Sequence, residues 1–350
     1  MKISYITRLK NKEQVTGAHF YDNQLIKIVG EGTSHEVKDL SFNIGKWDKN
    51  LAIAPFLYIG QAAKEKDTDI FVFNSISFMR FMFLPFFIKY FKKKKTIVIH
   101  HHFMHRQLKG LRRKIYKTFE WNFLKQMDKI VVASPYVYDD LKNIFPKEKL
   151  MLFQIPFENS PLYKPDPIKG NLTYMGTIEY RKGLTFLIQA LILLKKRGKE
   201  YPLTIIGKVF EPAYYERIKQ EIEKNNLNVK FTGFLSKEEK EKILSQTDVF
   251  VFPSLLEGYG MVLVEAQTYG LPIVSFDNSA MPYNVKNNIN GFTVPTGNVE
   301  LFADAIEKTI EDRELRNRLS IGALENLKSQ NTFPQFEKEI IEEFNDLKFG

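Results

Sequence analysis

An α/β protein made of two doubly wound parallel-sheet domains is what this sequence predicts, on three observations. Short apolar runs rich in Ile, Val and Phe alternate with longer amphipathic stretches, the pattern of parallel strands joined by crossover helices. The alternation restarts after Phe157–Gly170 (FENSPLYKPDPIKG), a segment with three prolines and little periodicity. The length, 350 residues, suits two domains at about 150 residues each.

In chain order, the first half offers strands at Lys2–Ile6, Leu25–Val29, Ile70–Phe73, Thr96–Ile99 and Lys129–Ala133. The second half offers Asn171–Met175, Leu203–Ile206, Val229–Thr232, Val249–Phe252 and Pro272–Ser275. Between the latter lie helices over Gly183–Arg197, Ala213–Asn225, Lys237–Ser245 and Met261–Tyr269. These place domains at 1–160 and 161–332, each Rossmann-like. A lone helix, Phe333–Phe349, follows the break at Asn331-Thr332.

Composition narrows the chemistry. With 44% hydrophobic and 26% charged residues the chain reads as globular, and without cysteine it has no disulfide, thiolate metal site or cysteine nucleophile. Met1–Ile6 enters a strand directly and is too short for the apolar core of a signal peptide, so a cytoplasmic protein is expected. No run approaches the roughly 18 apolar residues of a spanning helix; Ile76–Phe91 is interrupted by Arg80, Pro85 and Lys89.

The net charge of +10 is uneven. Residues 80–129 hold 14 basic and 2 acidic side chains, enough to account for the whole excess. Such a block calls for an anionic partner: nucleic acid, an acidic membrane surface or a phosphorylated substrate. In RQLKGLRRKIYKTFEWNFLK, Arg106, Lys109, Arg113 and Lys117 recur at helical spacing, with Leu108, Leu111, Ile115 and Phe119 on another face. With Phe78, Phe81, Phe83, Phe86, Phe87 and Phe91 ahead of Lys92–Lys95, the segment 78–125 reads as a membrane-surface element, peripheral at the inner face of the cell membrane. The opposing reading makes the phenylalanines core and the lysines its rim. No nucleic-acid recognition motif is present.

Two patterns imitate metal sites. Three consecutive histidines, His100–His102, alternate in direction on an extended chain and cannot converge on one ion. Asp67 and Asp69 precede the strand Ile70–Phe73 rather than follow it, and read as strand-entry polar residues.

The most informative stretch is Pro253–Pro272, PSLLEGYGMVLVEAQTYGLP. A strand ends, a loop holds Glu257, Gly258 and Gly260, and a helix opens at Met261 that carries Glu265. The glycines let backbone approach a ligand, and the first-turn amides suit phosphate or sugar oxygens. Glu257 and Glu265 can face one cleft and accept hydroxyl hydrogen bonds. The plainer alternative is a solvated loop with an acid that merely suits the helix dipole.

This stretch, PS-x2-EGYG-x4-EA-x3-GLP, resembles the donor-site signature of the family-four retaining glycosyltransferases of the GT-B fold. The similarity continues through IVSFDN and NNINGFTVPTGN, and upstream in YMGTIEYRKGLTFLIQAL and VVASPYVYDDL. The resemblance implies two Rossmann-like domains facing a cleft that closes on the donor, with the last helix crossing back to the first domain. It implies transfer of a sugar from a UDP- or GDP-sugar, with no cofactor and no divalent metal, to a bacterial glycan, lipid-linked or protein-linked acceptor.

By the same resemblance, Glu265 would bind the ribose hydroxyls and Glu257 the sugar. The backbone of Gly258, Tyr259, Gly260 and Met261 would line the sugar and diphosphate. Arg181 and Lys182 would neutralise the leaving diphosphate in place of a metal, and Phe234 with Gly233 would lie at the nucleobase. In the first domain, His102, with His101 second, would stand near the transferred sugar. Gly17 would belong to the glycine loop that nears the diphosphate, and Ser134 is a further cleft candidate. Three positions depart from the pattern: Thr177 where an arginine is common, Tyr283 where a glutamate is common, and Thr16 in place of a second glycine. The competing functions are a sugar-nucleotide epimerase or a glycan phosphorylase on the same fold, and a catalytically idle homologue that binds polyanions or membranes.

Overall fold

A computed structural model describes residues 1–7, 17–41, 50–157 and 170–349. The chain divides into two compact units, Met1–Pro156 with Phe333–Gly350, and Phe157–Thr332.

The first unit runs β1 (Lys2–Thr7), α1 (Gly17–Gly32), β2 (Glu36–Ser41), α2 (Ala54–Lys64), β3 (Ile70–Asn74), α3 (Phe78–Phe81), α4 (Leu84–Phe91), β4 (Lys95–His100), α5 (Gly110–Gln126), β5 (Lys129–Val132), α6 (Pro135–Leu141) and β6 (Leu150–Leu152). All pairings are parallel, in the order β2-β1-β3-β4-β5-β6. The apolar runs IFVF of β3 and TIVI of β4 are buried throughout, as strands covered on both faces must be.

Leu25–Val29, expected as a strand, lies inside α1. Its apolar residues continue a helical period from Tyr21, and Tyr21, Leu25, Ile28 and Val29 form the helix's buried stripe. The strand at that point of the topology is β2.

The second unit runs β7 (Leu172–Met175), α7 (Leu184–Lys196), β8 (Leu203–Ile206), α8 (Pro212–Lys224), β9 (Val229–Gly233), α9 (Lys237–Leu244), β10 (Val249–Phe252), α10 (Met261–Thr268), β11 (Ile273–Phe276), α11 (Met281–Asn284), β12 (Gly291–Val294), α12 (Val299–Glu311) and α13 (Arg313–Lys328). Its parallel sheet has the order β12-β11-β10-β7-β8-β9. Local sequence fixes the helix starts. Ser236 and Glu239 form a reciprocal capping box on α9, Asn298 Oδ1 accepts from Leu301 N on α12, and Asp312 Oδ1 accepts from Leu315 N on α13.

The last helix, α14 (Phe333–Asn345), belongs to the first unit, where it packs on α1. Phe336 meets Tyr21, Phe344 meets Phe153, and the Phe344 carbonyl lies 2.9 Å from His35 Nε2.

Both sheets have a point where the winding reverses. In the first it lies between β1 and β3, and in the second between β7 and β10. Crevices outside the carboxyl ends of strands at such points are where doubly wound sheets bind ligands.

Candidate active site

In the second unit the loops that leave β7 and β10 are strapped together at the reversal point. Arg181 O accepts from Leu255 N at 2.8 Å and from Ser254 Oγ at 3.3 Å. Gly183, at φ +76, closes the 3-10 turn Tyr180–Lys182 and starts α7. A Cβ there would lie 1.8 Å from Pro253 O, so only glycine lets the two loops approach this closely.

The strap brings three of the expected donor-site side chains together, Glu257, Lys182 and Arg181. Glu257 Oε1 lies 2.5 Å from Lys182 Nζ, 2.8 Å from Ser254 Oγ and 3.6 Å from Arg181 Nη1. The group is largely buried, with side-chain exposures of 11% for Glu257 and 13% for Lys182. Burial alone would raise the Glu257 carboxyl, but the Lys182 and Arg181 charges outweigh it and hold the group below the ordinary carboxylate range. Burial lowers the Lys182 ammonium, and the facing carboxylate offsets only part of that. Arg181 is held on its other side by Glu179 Oε1 at 2.8 Å and by Leu256 O at 2.7 Å, and Thr177 Oγ1 donates to the same Glu179 oxygen. Thr177 thus positions the arginine through Glu179.

A depressed carboxylate has a stability signature. Its contribution is fully present above the unfolded value near 4.5 and disappears as pH falls through the lower folded value. Wild-type protein is therefore expected to lose stability relative to Glu257→Gln only below pH 4.5, and thermal melts of the two from pH 3 to 7 check it. Parallel curves throughout would mean that Glu257 is not held in its ionised form.

Glu265 stands apart from this trio. It sits on α10 and makes its own ion pair with Lys240 of α9, a partner the sequence did not reveal. Gly260, at φ +82, opens α10 with no side-chain cap, so its first-turn amides are free of the usual competitor. The Tyr259 ring is buried and stacked on Phe157, leaving its backbone as the part that can serve a ligand. Phe234 is 75% exposed just after Gly233, with Lys208 Nζ 4.9 Å above its ring.

Sequence reasoning missed the frame beneath Glu257. Ser279 Oγ accepts from Glu257 N at 2.9 Å, and Asn278 Nδ2 donates to Ser254 O at 3.1 Å. Both follow β11, and Ser279 adopts φ +46 to reach the loop. Gln267 Oε1 accepts from the Asn290 and Asn326 amides, and the Asn284 main-chain carbonyl accepts from Gln267 and Asn290, which links α10, α11 and α13.

In the first unit a second polar cluster lies at that sheet's reversal point. Asp22, from α1, is 1% exposed. It accepts from Tyr5 Oη of β1 and Asn74 Nδ2 of β3, and pairs at 2.8 Å with His101 Nε2. Burial, then the Asp22 charge, pushes the Tyr5 hydroxyl well above its ordinary range and keeps it a donor. His101 rather than His102 is therefore the histidine built into the crevice. Strand β4 runs one residue further than the sequence indicated, to His100, and His102 is turned to Gln107 Nε2 at 2.9 Å. Beside them, Ser75 Oγ, both ring nitrogens of His100 and Ser134 Oγ are buried without a hydrogen-bond partner among the described residues. Gly17 begins α1, and the residues before it lie outside those described.

Neither imitation of a metal site gathers its ligands. Asp67 is tied to Lys2, and Asp69 to the Lys2 amide and Lys94, at the entry to β3. His105 pairs with Glu120 at 2.7 Å. Among the described residues no three His, Asp or Glu side chains are grouped to hold a metal ion.

The chain is similar to known proteins in sequence and in fold. Residues 164–325 match the family model "Glycosyl transferases group 1". The chain is 34% identical over 131 residues to the amylovoran biosynthesis glycosyltransferase AmsK of Erwinia amylovora, covering 35% of this chain and 31% of that protein. It is 30% identical over 146 residues to the capsular polysaccharide biosynthesis glycosyltransferase CapM of Staphylococcus aureus, covering 42% and 38%. The chain thus spans well under half the length of these relatives. Sucrose-phosphate synthase from Thermosynechococcus elongatus shares the fold at TM-score 0.77 and 17% identity over 99% of this chain and 98% of that one. HepE of Anabaena, solved with UDP and glucose, does so at TM-score 0.74 and 15% identity over 99% and 100%. The two parallel six-stranded sheets of this chain are those of the GT-B fold, and its residues 164–325 are similar to the group 1 glycosyl transferases.

Proposed function

We propose that this chain transfers a sugar from a nucleoside diphosphate sugar, UDP- or GDP-linked, to a hydroxyl of a glycan, lipid-linked or protein-linked acceptor, with retention of configuration and without a divalent metal. The observation that carries the reading is the Glu257–Lys182–Arg181 group at the β7/β10 reversal point. Two cations fixed in a largely buried site are what a leaving diphosphate needs, and preorganised charge of this kind is usually the largest catalytic term. The UDP and glucose in the HepE structure support the donor class.

In the reaction, the bond from the anomeric carbon to the phosphate oxygen breaks and its electron pair leaves with the diphosphate. Arg181 and Lys182 meet that charge. The acceptor oxygen bonds to the anomeric carbon from the face the phosphate vacates, and its proton passes to the departing phosphate oxygen. Glu257, ionised and released from part of its pairing as the cations turn to phosphate, accepts hydrogen bonds from the sugar hydroxyls. Glu265 serves the ribose hydroxyls, the Gly258–Met261 backbone the diphosphate, and Phe234 the base. Acceptor chemistry falls to the first unit, where the Asp22-held His101 and the unpartnered Ser75, His100 and Ser134 supply polar groups.

Calorimetry against a panel of UDP- and GDP-sugars tests this. One family of donors is expected to bind wild-type protein, and Arg181→Ala/Lys182→Ala to bind it at least about tenfold more weakly. Absence of binding by every donor would overturn the reading, and turnover of the donor into an isomer without acceptor would replace transfer by epimerisation.

A further inference from the structure

We propose that the outer side of the helical layer α2–α4–α5 docks on an anionic lipid bilayer. The inference is independent of the chemistry assigned to the second unit, because it rests on the first unit's surface alone.

These helices pack against one another on the first sheet. Helix α4 buries Leu84 and Ile88 toward that sheet and turns a ridge of rings outward. Phe86 is 49% exposed, Tyr90 62% and Phe91 71%. Phe83 continues the ridge to Phe56 of α2, with ring centroids 5.9 Å apart, and Phe86 and Tyr90 are 4.6 Å apart. The rings touch one another yet nothing in the unit covers them, whereas scattered single apolar residues would be ordinary. The sequence reading needs correction here: Phe78 and Phe81 are core, while Phe83, Phe86 and Phe91 are surface.

The charge beside this ridge is also sorted. Lys89 pairs with Asp128 at 3.0 Å, Lys94 with Asp69 at 3.1 Å, and Lys92 reaches the Glu65 carbonyl, so most of the lysine run is spent inside the unit. Arg106, placed by its spacing on the basic helix, lies ahead of it and pairs with Asp140. The cations of α5 differ. Lys109, Arg112, Arg113, Lys114 and Lys117 are exposed, and none forms an ion pair among the described residues. They crowd the start of a helix with no acid in its first turn and no side-chain cap, where the dipole disfavours positive charge. An external anionic surface removes that conflict. Leu111, 72% exposed, and Ile115, 42% exposed, lie one turn apart among these cations.

Uncovered aromatic and aliphatic side chains set among unpaired cations fit a charged interface with an apolar interior. Each signal alone binds membranes weakly, and stable anchoring takes two. Among the described residues no helix is long and apolar enough to cross a membrane, so the contact is a surface one.

Vesicle flotation of the full chain tests the proposal, with phosphatidylcholine alone and with one third phosphatidylglycerol. Wild-type protein is expected to float only with the anionic vesicles. Arg112→Gln/Arg113→Gln/Lys114→Gln/Lys117→Gln is expected to partition at least about a hundredfold less, since each cation near an anionic surface contributes ~1 kcal/mol. Lys219→Gln/Lys224→Gln/Lys237→Gln/Lys242→Gln, with the same net charge, is expected to bind like wild type. Phe86→Ser/Tyr90→Ser/Phe91→Ser is expected to leave binding that high salt abolishes. All eleven positions are at least partly solvent-exposed, and circular dichroism confirms folding. The proposal fails if wild type does not float, or if the two charge variants weaken binding equally. It fails also if sedimentation shows the ridge buried in a dimer of this chain, or if duplex nucleic acid binds more tightly than the vesicles.

Discussion

Glu257→Gln is expected to lower sugar transfer by about 10²–10³-fold while nucleotide binding holds or tightens. The substitution keeps the shape and an acceptor for Ser254, but removes the charge that Lys182 and Arg181 now face at 2.5 and 3.6 Å. Two cations freed from a buried carboxylate become more available to a diphosphate, so the nucleoside diphosphate loses nothing. The sugar loses its charged hydrogen-bond acceptor, and charged hydrogen bonds are roughly twice as strong as neutral ones. The pairing of opposite effects separates a catalytic role from a structural one, which would weaken both. Nucleoside diphosphate release and calorimetry on the donor found by screening measure the two quantities. Wild-type turnover in the variant would remove Glu257 from the mechanism.

Gly183→Ala should cost more than any other single methyl group near the site. At φ +76 an alanine already costs about 1–2 kcal/mol. Its Cβ would also overlap Pro253 O at 1.8 Å, and a backbone carbonyl at the end of a buried strand cannot turn aside as a flexible side chain could. The 180–183 turn must then lift away from β10, carrying Arg181 and Lys182 off Glu257. A fall in melting temperature with near-complete loss of transfer is expected. Gly198→Ala is the control: φ is +78 there, but nothing lies within 4 Å. It should show only the conformational cost, with activity intact. Equal behaviour of the two variants would mean that the contact with Pro253 contributes nothing.

The parts of the fold that read well from sequence are those where one signal dominates. Runs such as IFVF and VFVF, buried on both faces, have no competing period, and their strands fall within a residue of expectation. Leu25–Val29 failed because five residues cannot show whether an apolar run alternates or recurs every third and fourth position; Tyr21, four residues before Leu25, held the answer. The short edge strands β6 and β12 carry three and four residues and little pattern.

In the site, Glu257 was legible because loop, glycine and helix onset stand together in Pro253–Met261, whereas the Arg181-Lys182 pair, with Lys182 75 positions away, was singled out through the family resemblance of YMGTIEYRKG. The Lys240 partner of Glu265 and the Ser279 support of Glu257 lie 25 and 22 positions away with no local mark. His101, placed second to His102, is the one paired with Asp22, because the strand end shifted by one and neighbouring residues point opposite ways.

The hydrogen bonds from Leu255 and Ser254 to the Arg181 carbonyl, with Gly183 seated on Pro253, make two segments 70 to 74 residues apart a single mechanical part. Engineering that exchanges only one of them for a relative's version would import a surface shaped for a different mate. Swapped together, 177–183 with 253–261, they travel as a cassette, so altering which donor is used calls for a paired transplant.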